Sequence, residues 1–495
     1  MREIIKAFFT TGSGSIISLI LNVISIKTIA VLLGPSGVGI FSLLRQIRLT
    51  ALAGATLSGQ TALIQGGSSR EGKYRTIYLR TILKVFLIGG FLTSIVLIIF
   101  APEIASRVIN QNDSSTILMV RLLAIPVFIS VIVGYFGGVL TVYKEIGALA
   151  VVQVSIALTF AVLAYPVAKL VNSGEYLAFI GWMTLSQIIG LIISIIYLWQ
   201  KDHLKRYSYL LEKIPWDSVR HFIQIAGPMS LTGLIGAGSL LAIRSIIIRY
   251  ESLGAAGIFD AAWTLSMTYV MLILASFQTY YLPTLSRTQD EIDRNNLIRN
   301  ILRLSLYIIV PVVVMIILMK PFIIKFLYSP EFIPALSIIR WMLIGDYFKV
   351  FGWVLAMPVI AYADMKVFLF TEILWYLGFL GISIFSITVQ GSVVGIGISF
   401  MLLYFAYMVY MYIYTRTKYN FRLGTNLTIR WVIGFFLILI ASWQTWHFTE
   451  VQWLGGIAWV AVLCVYSWLI VEKEDKKKIF KWGNEKLPMI FRENQ

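Results

Sequence analysis

Apolar stretches of about 20 residues recur along this chain from Thr11 to Val471, and that recurrence limits what it can fold into. Each is long enough to cross roughly 30 Å of hydrocarbon as a helix rising 1.5 Å per residue. Backbone N–H and C=O groups have no water partner in the hydrocarbon, so the helix, which bonds them internally, is the form such segments take. Only 13% of the 495 residues are charged, about half the share of a soluble globular chain. The expected fold class is therefore an all-α integral membrane protein with no water-soluble domain of its own.

Fourteen spans are predicted. The first seven cover about 11–33, 38–63, 81–101, 117–139, 146–168, 177–199 and 223–248. The second seven cover about 256–284, 304–320, 335–361, 367–388, 393–414, 430–447 and 455–471. The N-terminus carries Arg2 and Lys6 before its apolar run, but nothing resembling a cleavage site and soluble domain follows, so the run is read as span one.

The net charge of +17 sorts by loop. About 28 lysines and arginines lie in the termini and alternate loops. The opposite loops hold Arg107, Lys169, Arg249, Lys320 and Lys325. The positive-inside rule places both termini in the cytoplasm, as an even number of spans requires. A charge so distributed is an orientation signal and gives no reason to expect nucleic acid as a partner. The segment from Gln200 to Arg220 has Leu204, Tyr207, Leu211 and Ile214 at helical spacing, an amphipathic helix expected on the cytoplasmic surface.

The chain repeats itself. Gly39-Ile40-Phe41 recurs as Gly257-Ile258-Phe259, and Ala101-Pro102 faces Lys320-Pro321. Arg121 to Ile125 recurs as Arg340 to Ile344, and Tyr143 meets Tyr362, all at an offset of 218 or 219 residues. An offset of six spans inserts both halves in the same direction, related by a pseudo-twofold along the membrane normal around a central cavity. The expected domains are an N-lobe (1–199), the cytoplasmic linker (200–222), a C-lobe (223–415), and spans thirteen and fourteen with a basic tail (416–495).

Ionisable side chains inside a span cost about 2.5–3.5 kcal/mol each at mid-depth, so they mark function or a partner. The bases are Lys27, Arg45, Arg48, Arg121, Arg244, Arg340 and Lys349; the acids are Asp260, Asp346 and Glu372. Bases outnumber acids, and every acid of the first half lies in a loop or at a span end, so the cavity should draw an anion. Guanidinium forks suit phosphate in particular. Lys27 can also snorkel outward, Arg121 and Arg340 can anchor at headgroups, and Asp346 with Lys349 can form a helical ion pair. Asp260, Asp346 and Glu372 are candidates for proton or Na⁺ coupling. No cofactor, catalytic residue or metal site is expected: one cysteine and three histidines build no cluster, and no phosphate-cradling glycine loop occurs. Asn112-Asp113-Ser114 and Asn426-Leu427-Thr428 match glycosylation sequons too short to carry weight.

Three stretches give the chain a family likeness. They are Leu33-Gly34-Pro35-Ser36-Gly37-Val38-Gly39, the Arg45-Gln46 pair in span two, and Leu52-Ala53-Gly54-Ala55. With the duplication over residues 1–415, they make the chain resemble the polysaccharide-transport branch of the multidrug/oligosaccharidyl-lipid/polysaccharide (MOP) exporter superfamily, and within it the Wzx-type O-antigen flippases. The resemblance implies movement of an undecaprenyl-pyrophosphate-linked oligosaccharide from the cytoplasmic to the outer leaflet of the bacterial inner membrane. It also implies a glycan polymerase and chain-length machinery as partners, and a substrate role for Arg45, which falls on the family's span-two pair. Wzx proteins commonly have twelve spans; the extra two resemble those of lipid II flippases, so another lipid-linked glycan is an alternative. A multidrug or ion antiporter of the same superfamily would want a buried acid in the first half, which is absent. A glycan polymerase or ligase would want a large external loop, and the external loops are short.

Overall fold

The computed structural model describes residues 2–202, 215–447 and 453–470. The proposed amphipathic linker helix, with Leu204 to Ile214, lies outside the described residues. Among the described residues there are helices and turns and no strand. In chain order the helices are α1 (Arg2–Ala55), α2 (Gln60–Ser68), α3 (Gly72–Ile99), α4 (Ala101–Ile104), α5 (Ser114–Leu122), α6 (Ala124–Val142), α7 (Ile146–Asn172) and α8 (Ala178–Gln200). They continue as α9 (Trp216–Tyr250), α10 (Leu253–Arg287), α11 (Glu291–Leu327), α12 (Ala335–Ala361), α13 (Met365–Gln390), α14 (Val394–Tyr419), α15 (Thr425–His447) and α16 (Trp453–Ile470). A π-turn over Ala105–Ile109 follows α4, and a 3₁₀ turn over Pro330–Phe332 precedes α12.

Among the described residues, 12 helical segments are long and apolar enough to cross a membrane. The chain is a multi-pass membrane protein. The first of these segments, Ile16–Ala55, is 40 residues long and holds both spans one and two. They join at Gly34, whose φ of 63° and ψ of −164° break the helix just before Pro35. Counting its two arms separately and adding the 18-residue α16 recovers the fourteen expected spans.

The helices depart from the expected boundaries in several places: α3, α9 and α11 begin at Gly72, Trp216 and Glu291, before the apolar stretches expected from 81, 223 and 304, and Lys169 and Arg249, expected in external loops, lie within α7 and α9. Span two was expected to run unbroken to residue 63, but α1 stops at Ala55 and Leu57 and Ser58 turn left-handed (φ 51° and 46°) before α2 begins. At that turn a Cβ on Gly59 would run into the Phe222 ring, so the site is crowded against α9. Lys320 and Lys325, expected in an external loop, belong to α11, and Lys320 is 2% exposed.

Helix contacts divide the chain into two compact units. The first comprises residues 1–264, 324–338 and 365–399. Its core includes Tyr78, Leu79, Ile82 and Phe86 on one face of α3, packed with Tyr135 and Val139 of α6 and Phe222 of α9. On the opposite face of α3, Ile88, Phe91, Leu92 and Ile99 stay exposed. Apolar outside and apolar inside is the pattern of a helix that meets lipid on one side. The two copies of the Gly-Ile-Phe motif touch each other in this unit. A Cβ on Gly39 would collide with the Leu253 carbonyl oxygen and lie 3.1 Å from Gly257 N. A Cβ on Gly257 would collide with the Pro35 carbonyl oxygen and lie 2.9 Å from Gly39 N. The contact is reciprocal, as expected where two copies of one motif meet about a local twofold.

The second unit comprises residues 265–323, 339–364 and 400–495. Within it, α12 runs between α14 and α15. Gly345 and Gly352 let α14 close in, since their Cβ atoms would meet Phe400 at 2.6 Å and Tyr407 at 2.8 Å. On the α15 side the rings of Tyr347 and Trp431 stack at 5.6 Å, and the Tyr347 hydroxyl donates to the Trp431 carbonyl at 2.7 Å. Phe348 and Phe435 approach at 5.3 Å. Small residues and aromatic stacking substitute here for the hydrophobic effect, which is weak between helices in lipid. The indole N–H of Trp459 in α16 donates to the Gln444 amide oxygen of α15 at 2.5 Å.

Candidate functional site

The first unit gathers several of its intramembrane charges around one carboxylate. Asp260, on α10 one residue beyond the Gly-Ile-Phe copy, accepts from Arg244 Nη2 of α9 at 2.7 Å. Its other oxygen lies 3.5 Å from Arg45 Nη2 of α1. The Arg244 and Asp260 side chains are 3% and 5% exposed, whereas Arg45 keeps 32% of its surface open. Arg244 is thus a buried structural partner, with its guanidinium also 5.5 Å from the Phe259 ring centroid. Arg45 has a long, single-oxygen contact and an open face.

The helix of α1 places the neighbours. Gln46 turns inward, and its amide donates to the Ala237 carbonyl at 3.1 Å, a carbonyl that also accepts from Thr50 at 3.1 Å. Arg48, one turn beyond Arg45, donates to the Ser130 hydroxyl of α6 at 2.8 Å. Ser130 in turn donates to the Pro126 carbonyl at 2.5 Å. The Tyr328 phenol hydrogen-bonds Thr264 and sits within electrostatic reach of Asp260 and Arg45. Lys27 is anchored to the C-terminal end of α11, donating to the Lys325 carbonyl at 2.8 Å and to the Tyr328 carbonyl just beyond it. Two guanidinium groups, Arg244 and Arg45, therefore share the Asp260 carboxylate, and Arg48 stands one helical turn from Arg45 with Ser130 as its partner.

The other sequence-derived candidates lie elsewhere. Arg121 ends α5 and is exposed. Glu372 is half-buried on α13 and within electrostatic reach of Tyr376. In the second unit, Asp346 is fully buried and accepts from the Ser266 hydroxyl at 2.8 Å and from the Tyr269 phenol at 2.6 Å. The Lys349 ammonium contacts Met267 Sδ at 3.1 Å and lies 5.3 Å from the Tyr404 ring centroid. Arg340 stacks on Trp446 at 4.0 Å and reaches the Thr445 carbonyl at 3.5 Å.

Sequence reasoning did not single out Ser130, Tyr328, Ser266 or Tyr269. Hydroxyl residues are frequent in spans, and only their pairing with a charge on another helix distinguishes these four. Gln46 was visible as half of the Arg-Gln pair, without its partner.

Residues 16–337 match the family described as Polysaccharide biosynthesis protein. The chain belongs to that family. Among curated relatives, the "Lipid III flippase" of Escherichia coli (strain K12) is 25% identical over 380 residues, covering 74% of this chain and 88% of the relative. The protein of the same name from Shigella flexneri matches equally. Among solved structures, the inward closed conformation of "Lipid II flippase MurJ" superposes with a TM-score of 0.67 at 13% identity, over 94% of this chain and 97% of that one. An inward-facing "multidrug resistance MATE family transporter of the MOP superfamily" also gives 0.67 at 13% identity, over 82% and 94%. At such identities the structures establish a shared fold, that of the MOP superfamily, and family membership supports the likeness to its polysaccharide branch read from the Leu33–Gly39 and Arg45-Gln46 stretches.

Proposed function

We propose that this family member is a flippase that moves a lipid-linked glycan, an undecaprenyl-pyrophosphate-linked oligosaccharide such as an O-antigen repeat unit, to the outer leaflet of the bacterial inner membrane. The observation that carries this reading is the excess of guanidinium over carboxylate at Arg45, Arg48, Arg244 and Asp260. Arg45 is the residue poised to exchange partners. Its 3.5 Å contact to Asp260 is weak, its face is open, and a diphosphate offers it the bidentate geometry that the single oxygen does not. Arg244 stays on Asp260 and keeps that carboxylate from repelling the anion. The polyprenyl tail remains in lipid, and alternating access by rocking of two repeat-related lobes carries the headgroup across. Both termini face the cytoplasm in this scheme, and a glycan polymerase with chain-length machinery consumes the product outside.

The flippase relative at 25% identity over most of its length supports the substrate class. Other polyprenyl glycans, including one like lipid II, satisfy the same chemistry. Drug-cation export fits poorly, since the carboxylate a cation would need in the first unit is held by two guanidinium groups. If an ion gradient drives the cycle, Asp346 is the candidate acid for H⁺ or Na⁺: it is buried, accepts from the hydroxyls of Ser266 and Tyr269, and lies within electrostatic reach of the Lys349 ammonium, with which a bound cation would compete.

The test is translocation of a lipid-linked oligosaccharide in proteoliposomes. Arg45→Ala should lower the rate about tenfold or more, the loss of one charge-assisted phosphate contact, with Arg45→Lys in between. Wild-type rates in Arg45→Ala at equal reconstitution would remove the role assigned to this cluster.

A further inference from the structure

Two bases of the second unit meet inside the membrane-spanning region without an acid. Lys320 lies on α11 and Arg340 on α12, and both reach Thr445 of α15. The Lys320 ammonium donates to the Thr445 hydroxyl at 3.2 Å, and Arg340 Nη2 approaches the Thr445 carbonyl at 3.5 Å. The two cations lie within electrostatic reach of each other. Among the described residues no carboxylate forms an ion pair with either. Lys320 is 2% exposed, so water does little to screen its charge. A buried charge without a compensating partner is strongly destabilising, and two that repel each other are worse.

Arg340 is only partly engaged. One face of its guanidinium stacks on the Trp446 ring at 4.0 Å, which leaves the donors in its own plane. Of these, Nη2 has the long contact to Thr445, and Nε is buried with no acceptor. A planar fork held by one face and under-used along its edge suits the oxygens of a phosphate.

Depth narrows the ligand. Lys320, Arg340 and Thr445 all stand within about 10 Å of the ends of their helices. Trp341 and Trp446 meet edge to face beside Arg340, with centroids 6.4 Å apart, and Trp443 and Trp446 are exposed. Tryptophan collects where hydrocarbon gives way to headgroups, which sets the pair at the level of lipid phosphates. Deeper on the same helices, Met319, Phe436 and Ile440 are exposed apolar side chains against which lipid chains can lie. An orientation signal does not account for the two bases. In the orientation read from the sequence this end faces outward, where lysine and arginine are depleted.

We propose that Lys320 and Arg340 form a binding site for the phosphate of an anionic lipid in the outer leaflet. The Arg340 fork takes the phosphate oxygens, and the more deeply buried Lys320 adds its charge through the shared Thr445. The lipid anion is the counter-charge of the pair. This site is separate from Arg45 and does not depend on the flippase reading.

The experiment is native mass spectrometry of the full-length protein released from nanodiscs, together with fluorescence titration of labelled lipid. One arm offers phosphatidylglycerol in a phosphatidylcholine background, the other undecaprenyl phosphate in the same background. Lys320→Met/Arg340→Gln should bind at least one of the two lipids about tenfold or more weakly. Arg340→Lys should be intermediate, because an ammonium lacks the fork. Arg107→Gln, which removes an exposed base of the first unit, should bind as the wild type does. The arm that responds names the source of the phosphate. A double variant that folds and keeps both lipids at wild-type affinity overturns the proposal. In that event a lower melting midpoint for Glu450→Gln, the acid nearest to Trp446 in sequence and outside the described residues, would assign the pair to that carboxylate. If the double variant does not fold, Arg340→Gln alone decides: the proposal requires weaker binding of at least one lipid, and unchanged binding of both overturns it.

Discussion

Replacing Gly39 by alanine tests the reciprocal helix contact at the centre of the first unit. The added methyl would collide with the Leu253 carbonyl oxygen, 3.0 Å from its carbon and 3.1 Å from Gly257 N. An unstrained carbon–oxygen contact is about 3.3–3.6 Å, and both obstacles are backbone, so no rotamer change relieves them. The α1 and α10 backbones must separate by on the order of 1 Å, an overpacking that costs about 1–3 kcal/mol. Gly257→Ala should cost a similar amount, because its methyl meets the Pro35 carbonyl oxygen in the mirrored arrangement. The double variant should cost clearly less than the sum, since the first methyl has already opened the gap that the second occupies. Gly147, on α7, has no atom within 4 Å of its Cβ position and is the matched control. The assay is the melting midpoint of the detergent-solubilised protein at fixed heating rate. Gly39→Ala melting with Gly147→Ala, or strict additivity of the pair, would refute the argument that the two motif copies rest backbone to backbone.

Arg244→Ala should destabilise the protein by about 3–5 kcal/mol, because a carboxylate 5% exposed keeps only the long contact to Arg45. Adding Asp260→Asn should recover part of that loss in the same melting assay, whereas no recovery would show that Arg244 acts through packing alone. Gly34→Ala should cost about 1–2 kcal/mol from the left-handed φ of 63°. Its methyl would also stand 2.6 Å from the Glu331 carboxylate, so Gly34→Ala/Glu331→Ala should melt higher than Gly34→Ala.

Much of the architecture could be read before any coordinates. A span is a property of a contiguous stretch, so α7, α8 and α14 begin at Ile146, Ala178 and Val394, close to their expected starts. The failures occur where the chain departs from a helix for tertiary reasons. Span two breaks after Ala55, where Leu57 and Ser58 turn left-handed beside Phe222; the Ser58-Gly59 pair is a turn signal that the hydropathy of the surrounding run outweighed in the expected bounds. Lys320 reads as a loop base in the sequence. In the structure it is buried in α11, where its ammonium donates to the Thr445 hydroxyl of α15 at 3.2 Å. The candidate site divides in the same way. That bases exceed acids within the spans is a matter of counting, but Arg45 and Arg244 come from two helices and meet at Asp260 from a third.

The sequence by itself determined the helical membrane architecture, because insertion energy is summed residue by residue along a segment. Tertiary structure alone decided which charges share a partner and which copies of the repeat remain equivalent. Gly39 and Gly257 are repeat mates that meet each other directly. Those outcomes depend on how each helix is rotated and what it packs against. The partners are 105 positions apart for Arg340 and Thr445 and 215 for Arg45 and Asp260, so no stretch of about 20 residues contains that rotation.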